Sequence, residues 1–278
     1  MSASVRVPRT FWVGLIAVVI YLLFAAGLGN LMDVIIPTSD PTAELAASHF
    51  IPLTIAIVLA LMFVRWSGWS AEVWSSRSTL RDTPRRWWLV AIPVLLLLLP
   101  LSQLPGAPWG ERGVGGIFIV LAATLMVGFG EELVIRGILF ASIRANHGEL
   151  VTLLGTSLIF GAAHIAGSLI AGVDPLSIVF QVGALAMNGS LYYWVRRVSG
   201  GLWLGILIHA LTDFSLYISS GDGSASEALQ SSNTFAPIDI FPAVVQWLLI
   251  ILSIAGVVSA ALEDRRTRRA RVSGASGQ

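Results

Sequence analysis

Apolar residues run along this chain in stretches of about 20, separated by short polar segments. The first, "FWVGLIAVVIYLLFAAGLG", carries no charge over residues 11–29. The pattern returns at 50–65, 87–104, 115–140, 150–172, 175–195, 201–219 and 241–262. A helix rises about 1.5 Å per residue and the hydrocarbon core of a bilayer is about 30 Å thick. Each stretch therefore predicts a spanning helix, eight in all, the second of them short. The third, with Pro93 and Pro100, and the sixth, with Gln181 and Asn188, depart furthest from an ideal span. The small residues of "FAAGLGN" near the end of the first resemble a signal-peptide cleavage region. Its apolar run exceeds the 7–15 residues or so of such a segment, so it is read as a span.

The charged residues assign sides. All seventeen basic residues are arginine, and they alternate between loops. Arg6 and Arg9 precede the first span. Arg65, Arg77, Arg81, Arg85 and Arg86 follow the second, Arg144 lies between the fourth and fifth, and Arg196 and Arg197 between the sixth and seventh. "EDRRTRRAR" follows the last. The alternate loops are acidic, with Asp33, Asp40 and Glu44, then Asp174, then Asp222, Glu227 and Asp239. Arg112, beside Glu111, is the exception. The positive-inside rule places both termini in the cytoplasm, which an even number of spans requires. In "RWSGWSAEVWSSRSTLRDTPRRWW" five tryptophans alternate with arginines, the pattern of a cytoplasmic interfacial segment with its rings at headgroup depth. The stretch 220–240 reads as a flexible extracytoplasmic connector.

Composition sharpens the class. Of 278 residues, 55% are hydrophobic and 12% charged, against about 25% charged in a soluble domain. Mean hydropathy is +0.80. Cysteine is absent, so disulfides, thiolate metal sites and cysteine nucleophiles are excluded. There is no Walker loop, dinucleotide fingerprint or internal repeat. The expectation is an all-α polytopic membrane protein whose surroundings are the lipid bilayer and not nucleic acid. Compact loops and the arginine-rich tail point to a prokaryotic plasma (inner) membrane.

The informative residues are those that should not be in a membrane. "FGEELVIRG" puts Glu131, Glu132 and Arg136 in the fourth stretch, "FGAAH" puts His164 in the fifth, and "HALTD" puts His209 and Asp213 in the seventh. An ionisable side chain at the centre of a span costs about 2.5–3.5 kcal/mol on insertion scales. Taken singly, each has a structural reading. Arg136 could snorkel with Glu132 as its tether, each histidine could bond between helices, and Asp213 could pair with a neighbour. Taken together they are expensive as scaffolding. Helical rise places Glu131, His164 and His209 roughly 12–21 Å from the cytoplasmic surface, where they can meet around one water-filled cavity. The four-residue spacing pairs Glu132 with Arg136 and sets Asp213 beside His209. Glu131, about 100° away, is left free. A free carboxylate beside oriented imidazoles suits activation of water and stabilisation of an oxyanion.

Read as EExxxR, FxxxH and Hxxx(N/D), these motifs resemble the CPBP family (CAAX protease and bacteriocin-processing, also called Abi) of intramembrane endopeptidases. The likeness covers about residues 115–219. It implies a type II CAAX prenyl endopeptidase-like core at 115–219. Amino-terminal helices and an interfacial segment (1–114) and a final helix with a basic tail (220–278) complete one integrated membrane domain. It implies further that Glu131 activates water, supported by Glu132 and Arg136. His164 and His209 bind or polarise the substrate carbonyl or the water, and residue 213 helps form the oxyanion hole. Here that residue is Asp where the eukaryotic prenyl-protein proteases have Asn. An ionised Asp repels an oxyanion, so Asp213 is expected to orient His209 or to be protonated. Zinc held by Glu131, His164 and His209 is compatible with the residue types, yet HExxH is absent and a metal-free glutamate mechanism is favoured. The substrate is expected to be a peptide or membrane-associated protein. Two other classes fit the same residues, a proton-coupled transporter and a non-catalytic scaffold or immunity factor with the protease fold.

Overall fold

Each of the eight apolar stretches folds as a helix in the computed structural model, which describes residues 5–36, 41–82, 84–219 and 240–275. The first comprises α1 (Phe11–Leu22), a π-helical turn (Leu23–Gly27) and α2 (Leu28–Ile35). The second is α3 (Pro41–Ser67), and after the short α4 (Ser70–Trp74) the third is α5 (Ala91–Gln103). The fourth runs from α6 (Trp109–Glu131) through a π-helix (Glu132–Leu139) into α7 (Phe140–Arg144). The fifth is α8 (Glu149–Ala163) followed by α9 (Ile165–Ile170). Then come α10 (Pro175–Ser199), α11 (Trp203–Ser219) and α12 (Ile240–Ala275). Among the described residues there is no strand, and one isolated bridge joins Ser75 to Gly201.

Six of these stretches are long and apolar enough to cross a bilayer. Of the other two, α11 is shorter, at 17 residues, and α10 dilutes its apolar sequence with Gln181, Asn188, Arg196 and Arg197. The chain is an all-α polytopic membrane protein. Large apolar side chains such as Trp12, Val58, Phe118, Leu158 and Trp247 stand exposed around the bundle. In water that surface would aggregate; in a bilayer it is the face that acyl chains solvate. The second stretch is longer than the sequence pattern indicated, because Pro41 starts the helix and carries Glu44 into it. Proline at a first helical turn removes only an N–H that has no partner there. Pro93 likewise falls in the first turn of α5, and Pro100 comes three residues before its end. The segment 220–239, read as a connector, lies outside the described residues.

Inside the bundle, missing side chains set the helix spacing. A Cβ on Gly128 would lie 2.8 Å from the Ala210 nitrogen and 3.0 Å from the Ile206 oxygen, so α6 and α11 touch backbone to backbone. A Cβ on Gly161 would lie 2.6 Å from the Val182 oxygen, with the same effect for α8 and α10. Small residues at crossings are how helices pack closely where lipid supplies no hydrophobic drive. The first seam joins two helices that carry motifs, and the second holds the third, α8, against α10.

The arginine-bearing segments gather at one end. The Trp69 indole donates to the Val7 carbonyl at 2.9 Å and Asn146 donates to the Arg9 carbonyl at 2.6 Å. Arg9 meets Glu72 at 2.5 Å, and Arg86 pairs with Glu263. At the centre is Glu149, fully buried, bound by Arg197 at 2.6 Å and approached by Arg144 at 3.4 Å. Arg197 also donates to the Arg77 carbonyl. Three sequence readings are corrected here. Trp69 is fully buried and pins the amino-terminal tail, so it is not a headgroup anchor like the exposed Trp66 and Trp87. Arg196 and Arg197 are buried helical residues and not loop charges, because α10 continues to Ser199. The basic tail is not a separate tail, since α12 runs on to Ala275 with Arg265, Arg266, Arg268 and Arg269 exposed.

Glu149→Ala should therefore destabilise the protein by roughly 3 kcal/mol, the low end for breaking a buried pair, because Asp82 remains 3.8 Å from Arg197. The thermal midpoint in detergent checks this, and an unchanged midpoint would show the network to be idle.

Candidate active site

The fourth stretch changes geometry where its charges begin. Glu131 is the last residue of α6 and Glu132 the first of an eight-residue π-helix that is buried along its whole length. π-Helical turns are rare and recur at functional sites, since the wider turn re-aims side chains. Here the two adjacent glutamates acquire different surroundings. The Glu132 side chain is 1% exposed, that of Glu131 24%.

Glu132 is the anchored one. Its Oε1 forms an ion pair with Arg136 Nη1 at 3.1 Å and accepts from His209 Nδ1 at 3.2 Å. Room for the carboxylate comes from Gly205, where a Cβ would lie 2.9 Å from Glu132 Oε2. Arg136 is fully buried, donates to the Gly189 carbonyl at 3.3 Å, and lies 4.2 Å over the Phe160 ring and 5.4 Å over that of Tyr192. Two aromatic faces thus carry part of the charge that one carboxylate cannot fully neutralise.

His209 stands at the junction. Donation from Nδ1 to Glu132 orients the ring and turns Nε2 toward the two carboxylates left open, Glu131 Oε2 at 3.7 Å and Asp213 Oδ2 at 3.6 Å. Both distances exceed a direct hydrogen bond, and both are short enough for one oxygen lying beside the atoms to bond the nitrogen and a carboxylate together. Tyr192 packs against the imidazole with ring centroids 5.0 Å apart, and its hydroxyl lies 3.3 Å from Thr212 Oγ1.

His164 sits where α8 gives way to α9. Its Nδ1 is 2.9 Å from the Phe160 carbonyl; a carbonyl only accepts, so Nδ1 carries the proton and Nε2 is the free nitrogen. The Phe160 ring contacts both imidazoles, at 5.2 Å for His164 and 6.0 Å for His209. His164 is also close enough to Asp213 for their charges to interact. All six residues singled out in the sequence therefore belong to one neighbourhood built from α6, the π-helix, α8 and α11. Tyr192 and Gly205 also shape it, outside the three motifs. Their partners lie in other helices, and an aromatic residue in a span carries no signal of its own.

Among the described residues no three His, Asp or Glu side chains are placed to hold one ion. The Nδ1 atoms of both histidines are engaged, and the open Nε2 of His209 faces two carboxylates.

No curated protein and no solved structure matches the chain. Residues 113–215 match the family model described as type II CAAX prenyl endopeptidase Rce1-like. That segment holds Glu131, Glu132, Arg136, His164, His209 and Asp213 together, so the site-bearing part of this membrane protein is similar to the type II CAAX prenyl endopeptidase Rce1-like family.

Proposed function

We propose that the protein is an intramembrane endopeptidase in which Glu131 activates water against a peptide bond. The observation that carries the reading is the setting of His209. One nitrogen is fixed by buried Glu132 and the other faces two partly exposed carboxylates, at separations that a reacting oxygen beside them can bridge. In the proposed reaction Glu131 takes a proton from water as the water oxygen bonds to the scissile carbonyl carbon. His209, protonated on both nitrogens, donates from Nε2 to the carbonyl oxygen as it becomes an oxyanion, while the free Nε2 of His164 accepts the other hydrogen of the attacking water and orients it. Glu131 then returns its proton to the leaving amine as the C–N bond breaks. Asp213 faces the same nitrogen of His209 and serves to hold a protonated imidazole, consistent with Asp rather than Asn at this position. The family's name carries a prenylated substrate, but nothing in this chain specifies that lipid. The proposed substrate class is a peptide or membrane-associated protein. The bundle is proposed to lie in a plasma (inner) membrane with its arginine-rich end and both termini in the cytoplasm, supported by the gathering of the basic segments at one end.

The test uses purified protein in proteoliposomes and three internally quenched probes: a farnesylated CAAX peptide, the same peptide without lipid, and a single-span transmembrane peptide. Cleavage of at least one is expected, and His164→Ala and His209→Ala should each slow it by about 10²–10⁴-fold while inserting normally. Inertness toward all three, accompanied by proton flux across the vesicles, would replace the protease reading with a transporter.

A further inference from the structure

Tyr21 lies on α1, outside the family-matched segment, yet it reaches the site. It is 5% exposed, and its hydroxyl has no hydrogen-bond partner among the described residues. A buried hydroxyl left unsatisfied costs about 1–3 kcal/mol, so native structures rarely keep one without a use. The ring forms part of the wall of a cavity of ≈ 390 Å³ between α1 and α3, where its neighbours, among them Val13, Ile20, Phe24, Leu59 and Phe63, are apolar. That side offers the hydroxyl nothing.

On its other side the phenol lies over Gly130, the residue before Glu131. A Cβ there would overlap the hydroxyl and come within 2.9 Å of Cζ and 3.0 Å of Cε2. The glycine of "FGEE" is thus the slot that admits Tyr21. The seat is reinforced one helical stretch away, where a Cβ on Gly14 would lie 2.8 Å from Ser142 Cβ and 3.3 Å from Leu139 Cα. Two glycine contacts press α1 against the fourth stretch on either side of the glutamates. The Glu131 carboxylate is close enough to act on the phenol electrostatically. Glu131 also faces His209, at 3.7 Å, and lies within electrostatic reach of Asp213 and Tyr217.

We propose that Tyr21 is a positioning residue for Glu131, its phenol donating a hydrogen bond to the carboxylate in the working enzyme. The donor holds the carboxylate of the catalytic base toward His209 and ties α1, which contributes nothing else to the chemistry, to the reacting centre. The inference rests on the reading of Glu131 as the base.

Two measurements test it. On whichever probe the wild type cleaves, Tyr21→Phe should lower kcat about tenfold, the loss of one well-placed hydrogen bond, with KM and thermal midpoint unchanged. A kcat equal to wild type, or a loss confined to KM, overturns it. The second needs no substrate. In protein labelled at the tyrosine Cζ carbon, Tyr21→Phe identifies the Tyr21 resonance, and Glu131→Ala should move that resonance upfield as the acceptor disappears. An unmoved resonance overturns the hydrogen bond. An inert wild type overturns the protease reading and leaves this second measurement to decide the contact by itself.

Discussion

Glu131→Gln should reduce peptide hydrolysis by about 10³-fold or more while leaving the fold intact. General-base catalysis by a positioned side chain contributes about 10²–10⁴-fold, and the amide cannot accept the proton of the attacking water. Stability should be spared. The Glu131 side chain is partly exposed, and its contact with His209 at 3.7 Å is too long to hold the structure together. Glutamine also keeps the shape beside Tyr21. Initial rates on the cleaved probe and a thermal midpoint, measured on one preparation, check both halves. A variant that keeps its rate would remove Glu131 from the chemistry, whatever the neighbouring geometry suggests.

Arg136→Ala should behave in the opposite way and fail first as a folded protein. It strips the guanidinium from a carboxylate that is 1% exposed, leaving Glu132 with His209 alone. Breaking a buried pair from one side costs about 3–5 kcal/mol, and the Phe160 and Tyr192 rings lose the cation between them as well. The sharper form of the prediction uses a pair of variants. Arg136→Met/Glu132→Leu removes both charges, so it should regain most of the lost thermal stability, since an apolar replacement of a buried pair is often close to neutral. It should not regain activity, because His209 then has no partner at Nδ1. If the single and double variants melt alike, the pair is not what stabilises this region.

The helices were legible because lipid leaves little freedom. Every backbone group must be bonded within its own segment, so apolar length announces itself, and the eight stretches fold as helices. The Glu132–Arg136 pair was legible for a similar reason, being a matter of spacing along one helix. What lay hidden was every interaction across sequence distance. Nothing in "YYWVRR" says that Arg197 will bind Glu149, 48 residues earlier, or that Arg196 will be buried. The tryptophan-arginine segment read as a surface pattern, yet Trp69 was drawn inward by the carbonyl of Val7. The π-helix was also invisible, because the turn of a helix is decided by what packs around it. In the site, residue types were readable from the motifs, whereas the direction of His209 and the approach of Tyr21 depended on glycines at 205 and 130.

Helix α12 also bears on the order in which the fold can be assembled. The first two free N–H groups of α8, on Glu149 and Leu150, are bound by the Asp264 carboxylate at 2.8 and 3.1 Å. Such a carboxylate is a helix cap, but this one is borrowed from 115 residues downstream, and its neighbour Glu263 holds Arg86. As the protein emerges from the ribosome, α8 and its His164 enter the membrane long before their cap is made. A nascent chain halted after α11 would already contain the whole matched segment and both histidines. It would still await α12 to close the basic end, so maturation of the site is timed by a helix translated after every residue that does the chemistry.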